Sequence, residues 1–315
     1  MIGRRVGLGM LTLLFVSILV FLATQVLPGN AATAVLQNTA TPVRVHALEL
    51  QLHLNDSVPS QYWHWISGLL QGDPGTSLAN QQSVSSIVGP RIFNSGVLVV
   101  LAGVLGTLIG TLLGVVAAAR RDGWFDHGLS VIALVVTALP EFVVAVVLVI
   151  VFSTLVLHLL PAVAVFPPNV SGLNYPNQLV LPVATLVLVI VPYIYRMTRG
   201  AMIEALASDF IEMAELKGLS RRRVLLVHAF LDAIPTTIQV VGLNLLYLAG
   251  GIVVVEYVFN FPGIGQELVA AVSDRDIPVI QFTVLLLAGF YVFVNIVSDV
   301  LALLVTPRRR LPRSG

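Results

Sequence analysis

The chain has 315 residues, of which 57% are hydrophobic and 10% charged, with a net charge of +1. With a mean hydropathy of +0.93, this excludes a soluble globular domain and defines a polytopic membrane protein. The absence of cysteine also excludes disulfides, thiolate nucleophiles and cysteine-ligated metals or clusters.

Six stretches reach the roughly 20 apolar residues a membrane-crossing helix needs: near 7–27, 96–119, 129–157, 179–198, 236–258 and 280–305. The first follows Arg4 and Arg5, as a signal peptide would. Its apolar core is of span length, however, and Pro28-Gly29 follows in place of a small-residue cleavage site, so an uncleaved span is expected. Residues 28–94 are too long for a simple connection and are expected to form an insertion between spans one and two. Within it Tyr62, Trp65, Ile66 and Leu69 recur at helical spacing, whereas Leu48, Leu50, Leu52 and Leu54 alternate with Glu49, Gln51 and His53 at the strand period. The stretch 43–54 therefore reads either way. The third span is longer than a perpendicular crossing requires and contains Pro140, which predicts a tilt or kink.

Between the fourth and fifth spans lies a polar segment, 205–234, ending before Pro235. Asp209 with Glu212 three residues on reads as a capping box, Gly218 as the stop of a short helix, and Ser220 as the cap of a second helix. Phe210, Met213, Ala214 and Lys217 fall at i, i+3, i+4 and i+7, a mostly apolar face about two turns long. Such a helix is not stable alone in water, so this face must be buried against something. A lipid surface with Arg221, Arg222 and Arg223 on anionic headgroups is one answer. Glu212 and Glu215 favour a protein groove instead.

Placing both termini inside puts Arg4, Arg5, Arg120, Arg121, Arg196, Arg199, Lys217, Arg221 to Arg223, Arg308 to Arg310 and Arg313 on that side, leaving Arg44, Arg91 and Arg275 outside. The positive-inside rule therefore sets both termini and the 205–234 segment in the cytoplasm. Ionisable and amide groups within spans tend to face a bundle interior or water; Glu141, Asn244, Asn295 and Asp299 are the candidates to line a path. Glu141 could equally hydrogen-bond a neighbouring helix, and Asn295 with Asp299, at i and i+4, could form a structural hydrogen-bonding face. Glu256, near a helix end, reads as interfacial. Gly103, Gly106 and Gly110, and Gly242, Gly250 and Gly251, read as sites of close helix packing.

Catalytic signatures are missing. Lys217 is the only lysine, so no phosphate loop ending in Gly-Lys-Ser/Thr exists, and there is no HExxH and no nucleophile elbow. The histidines at 46, 53, 64, 127, 158 and 228 include no pair spaced to present a metal from one helix face. A catalytic site, a resident metal and a cofactor are not expected.

The chain resembles the integral-membrane subunits of ABC importers, whose cytoplasmic EAA loop docks on the ATPase. The signature stands here as Glu212-Met213-Ala214 followed by Gly218, with Met213 in place of the usual alanine. Ala214-Glu215-Leu216-Lys217-Gly218-Leu219-Ser220, His228-Ala229 and Pro235 are similar to the form in dipeptide and oligopeptide permeases, as are Gly68 to Ser77, Gly114 to Ala117 with Trp124-Phe125-Asp126, Glu256 to Gly265 and Arg275 to Gln281. The resemblance covers nearly the whole chain. It implies an all-α type I ABC importer transmembrane domain over 1–315, with an extracytoplasmic insertion at 28–94 and a coupling loop at 205–235. It further implies residence in a bacterial inner membrane, a homologous second permease, two ATPase subunits or one fused pair binding ATP and Mg, and an extracytoplasmic substrate-binding protein or lipoprotein. Peptide is the implied substrate, with nickel, glutathione or haem as alternatives; nucleic acid is not a partner. The coupling residues implied are Asp209, Phe210, Glu212, Met213, Ala214, Lys217, Gly218, Leu219, Ser220 and Arg221. Tyr62, Trp63 and Trp65 would face the binding protein, or form an interfacial belt. A secondary transporter acting alone, with Glu141 as its ion site, is the competing class; the missing inverted repeat and the docking segment count against it.

Overall fold

A computed structural model describes residues 2–26, 41–43, 46 and 56–305. The described residues are almost wholly helical: α1 (Ile2–Gln25), α2 (Val58–Leu70), α3 (Val84–Ala119), α4 (Trp124–Ala138), α5 (Glu141–Val149), α6 (Pro176–Leu206), α7 (Asp209–Leu216), α8 (Phe230–Val258), α9 (Ile264–Asp274) and α10 (Ile277–Val305). Five helical stretches are long and apolar enough to cross a membrane, and α4 with the helix after it makes a sixth, bent by 106°. The strand alternative for 43–54 falls, apart from residues 43 and 46, outside the described residues.

The bend follows from the sequence. The residue before a proline is pushed out of the helical region, and Leu139 is extended at ψ 132 while Pro140 is the N-cap residue of α5. Helix α3 begins well before the apolar count predicts, because the end of the insertion continues the same helix, and α6 runs past the predicted 198 to Leu206.

The core is built on α6, which packs against α3, α8, α4 and α5. Small residues let α3 and α6 approach closely: a Cβ on Gly106 would lie 2.4 Å from Ile190 Cδ1, on Gly110 2.8 Å from Ile194 Cβ, and on Gly114 2.7 Å from Thr198 Cβ. Gly103 and Gly242 meet Leu245 and Ser298 of neighbouring helices in the same way. Packing is thus the role of these glycines; Gly250 departs from the expectation, with nothing within 4 Å of the position a Cβ would take.

At the end of the bundle remote from α7, buried polar groups tie loops to helices. The Asn94 amide donates to the carbonyls of Pro168, Val170 and Pro262 and its oxygen accepts from Gly172 N–H. Glu256 corrects its interfacial reading: it is fully buried, accepts from the Ser95 hydroxyl at 2.5 Å, and takes the Gly265 and Gln266 N–H groups at the start of α9 at 2.7 and 3.3 Å. A carboxylate at a helix N-terminus satisfies donors that have no partner within the helix. Gly263 and Gly265 are small because Glu256 and Val253 occupy the space a side chain would take. Asp276 accepts from Ser77, Leu78 and Ala79, which fastens the turn before α3 to the start of α10. Arg91 pairs with Glu267 at 2.8 Å; burial pushes the Glu267 carboxyl above the ordinary range and Arg91 opposes it.

Gly110→Leu should force α3 off α6, with the cost of about 1–3 kcal/mol typical of overpacking. The thermal-unfolding midpoint of the detergent-solubilised protein is expected to drop by several degrees; an unchanged midpoint would contradict the close contact.

Candidate functional site

Helix α7 is eight residues long and stands between α6 and the helical segment Arg221–Arg223, Val224–Ala229, α8. Ser208, not Asp209, is its N-cap residue; the Ser208 hydroxyl donates to the Ala205 carbonyl and no side chain caps the helix, so the expected capping box does not form. Asp209 and Glu212 instead lie in the first turn, where negative charge favours the helix dipole. The C-terminus ends as expected at Gly218, with φ +77, a left-handed conformation other residues rarely adopt. Gly218 N–H donates to the Glu215 carbonyl at 2.8 Å and Leu219 N–H to the Ala214 carbonyl at 3.3 Å, the paired bonds of a Schellman stop.

The inward face differs from the predicted one. Ile211 and Ala214 are buried with Met202 and Ala205 of α6, Ala118 of α3, Val224, Ala229 and Ala233. Leu219 packs against the same cluster. Burying Ile211 alone is worth on the order of 2 kcal/mol. Ala214 therefore packs α7 onto its own bundle and is not part of an outward face. Phe210 (50% exposed), Met213 (54%) and Leu216 (75%) lie at i, i+3 and i+6 on the opposite side, beside exposed Lys217. Apolar residues occupy most of the circumference of this short helix, so several stripes fit the period.

The second arm of the expected hairpin is continuous with the fifth span. A segment of π-helical hydrogen bonding, Val224–Ala229, leads into α8, and Pro235 lies inside that helix. Ser220 occupies the N-cap position without a side-chain cap bond. Arg221 donates to the Ala119 carbonyl at 3.2 Å, and the His228 ring lies 5.7 Å from that of Phe210. Nearby, buried Asp126 receives a two-pronged contact from Arg199 Nε and Nη2, both at 2.6 Å, which locks the start of α4 to α6. Sequence reading missed this pair, since acid and base stand 73 residues apart.

Of the path candidates, Glu141 begins α5 at the bend, with its carboxyl against Gly251 of α8, one turn beyond Tyr247. Asn244 is buried and donates to the Val240 carbonyl of its own helix at 2.8 Å, a structural role. Asn295 is exposed on α10, and the side chain of Asp299 lies outside the described residues. Tyr62 and Trp65 do not face outward: Tyr62 hydrogen-bonds Ser17 at 2.8 Å, and both rings pack on Phe21 of α1 at 5.4 and 5.9 Å. Only Trp63, 69% exposed, is free to meet a partner.

Ala214→Asp should place an uncompensated charge in the α6–α7–α8 cluster, at a cost of at least about 3 kcal/mol, and lower the unfolding midpoint. Met213→Asp, on the open face, should leave it unchanged. Equal midpoints for the two variants would refute the assignment of faces.

Residues 110–311 match the family described as "Binding-protein-dependent transport system inner membrane component", and residues 1–91 match its N-terminal companion, "Binding-prot-dependent transport system membrane comp, N-term". A protein of Brucella abortus (strain 2308) named as a peptide transport system permease is 36% identical over 310 residues, 98% of each chain. The glutathione transport system permease protein GsiC of Salmonella typhi is 34% identical over 299 residues, 95% of each chain. A chain of the MetNI methionine ABC transporter, in an inward-facing conformation, superposes with a TM-score of 0.59 at 17% identity, over 70% of this chain and 97% of that one. That likeness supports the type I importer transmembrane fold. The chain belongs to the binding-protein-dependent transport system inner membrane component family and is an ABC importer permease subunit.

Proposed function

We propose that this subunit forms half of the membrane pathway of an ATP-driven importer of di- and oligopeptides and couples to its ATPase through α7. The observation that carries the coupling is the open apolar stripe Phe210, Met213 and Leu216 beside Lys217, on a short helix whose other face is fastened to the bundle. An exposed apolar stripe on a soluble segment calls for a partner, and α7 is too short to hold itself in water alone. ATP and Mg belong to the partner ATPase subunits, separate or fused; this chain contributes no catalytic group to hydrolysis. A homologous permease supplies the other half of the path, and an extracytoplasmic binding protein delivers substrate. The distribution of arginine and the lone lysine supports cytoplasmic termini and a cytoplasmic α7 in a bacterial inner membrane.

Closure of the nucleotide-binding subunits would move α7. Its buried face carries α6 and the start of α8 with it, because Ile211 and Ala214 share one cluster with Met202, Ala205 and Ala233. The glycine contacts pass the motion from α6 to α3, and the Arg199–Asp126 pair passes it to α4. The spans then rock as packed units about the break at Pro140, a hinge-and-shear motion.

Peptide as substrate rests on the Brucella abortus relative and its like. Glutathione, itself a tripeptide, is the second reading, on the 34% identity to GsiC. Proteoliposomes holding the whole transporter and its binding protein should accumulate labelled di- or tripeptide only with ATP inside the compartment that faces α7. Met213→Asp should cut that uptake at least about tenfold, the loss expected of a docking anchor worth more than 1.4 kcal/mol. ATP-dependent accumulation of glutathione, nickel or haem without other peptides would replace the substrate; unaltered uptake in Met213→Asp would remove the coupling role of this face.

A further inference from the structure

The break between α4 and α5 places an acid and two phenols together inside the membrane-spanning region. Glu141 opens α5 immediately after Pro140, its carboxyl touches the backbone space of Gly251, and Tyr247 stands one turn before Gly251 on α8. The Tyr247 ring lies 6.4 Å from that of Tyr193 on α6. Tyr193 is 41% and Tyr247 48% exposed, and exposed Gly250 borders them with nothing within 4 Å of the position a Cβ would take. Among the described residues the Glu141 carboxyl has no ion-pair partner.

A carboxylate has about four acceptor positions, so this acid has acceptor capacity for a ligand. An acid retained in a span tends to serve a path or a ligand. Two aromatic faces beside a carboxylate are the chemistry that recognises an ammonium ion, through charge and through cation–π attraction. An acid at the first residue of α5 also offsets the positive end of the helix dipole, so the local field does not repel a cation.

We propose that Glu141, Tyr193 and Tyr247 form a transient site for the ammonium group of the transported substrate, the α-amino terminus in the case of a peptide. The identity of that ammonium as a peptide terminus rests on the function proposed above. The three groups sit on three different helices, α5, α6 and α8, two of which are joined to α7 through its buried cluster. Rocking of the bundle would separate the phenols from the acid and release the cation.

The chain has no cysteine, so a single introduced thiol reports on the site. In the reconstituted transporter carrying Gly250→Cys, the modification rates of this chain by a trimethylammonium-ethyl and a sulfonato-ethyl thiosulfonate are compared. The cationic reagent is expected to react about tenfold faster, the effect of one charge-assisted contact. The ratio should fall to near unity when Glu141→Gln is added, and a saturating tripeptide with a free amino terminus should slow the reaction. Leu243→Cys, one turn before Tyr247 on α8 and 65% exposed, serves as the second position if Gly250→Cys fails to assemble. A ratio near unity at the thiol, or one that survives Glu141→Gln, overturns the site. Cation preference without protection by tripeptide overturns its assignment to the peptide terminus. Uptake measured on the same wild-type preparation tests the peptide reading separately.

Discussion

The burial of Ile211 and Ala214 against Met202, Ala205, Val224, Ala229 and Ala233 is the contact on which the placement of α7 depends. A helix of eight residues has too few internal hydrogen bonds to persist by itself. Fastened on one side, it presents Phe210, Met213 and Leu216 on the other as a fixed surface. On the proposed coupling, a push on α7 would be felt by α6 and α8 without an intervening flexible joint. The Schellman stop at Gly218 and the Arg221 bond to the Ala119 carbonyl hold the chain as it leaves α7 and would preserve the direction of that push.

Beyond that point, the bundle is held together by two kinds of contact. Close packing of α3 on α6 at Gly106, Gly110 and Gly114 leaves no room for sliding without repacking. The Arg199–Asp126 pair is directional, with two bonds from one guanidinium, and half-buried arginine partnered this way resists separation more than a surface pair would. At the remote end, Asn94, Glu256 and Asp276 bind loops to helices through buried polar groups. The bent α4–α5 pair lies between these two fastened ends, and the Glu141, Tyr193 and Tyr247 cluster lies at the bend.

Much of this was legible in the sequence, for identifiable reasons. Membrane spans announce themselves through length and apolarity, Pro140 announces a bend through the exclusion of Leu139 from the helical region, and Gly218 announces a stop through its permitted left-handed φ. Each is a local effect. What stayed hidden depends on the partner a side chain meets across the fold. Glu256 looks interfacial by position yet is enclosed by Ser95 and the start of α9. Tyr62 and Trp65 share an amphipathic helix with Trp63, and only the presence of α1 decides which of them is covered. Apolar residues round most of α7 define no unique face, so the residue types alone do not show that Ala214 packs inward. The continuation of the hairpin into α8 through Pro235 was hidden as well, since the preceding π-helical turn has no marker in the residue types.

The central claim is that the Phe210, Met213 and Leu216 face is seated on the ATPase. It is tested most directly by placing a photocrosslinking residue at Met213 and, in a second variant, at Trp63, and irradiating membranes that contain the assembled transporter. A crosslink from position 213 to the ATPase subunit, changing in yield when nucleotide is trapped and missing from position 63, is the predicted result. Crosslinks from position 213 to lipid alone would contradict the account.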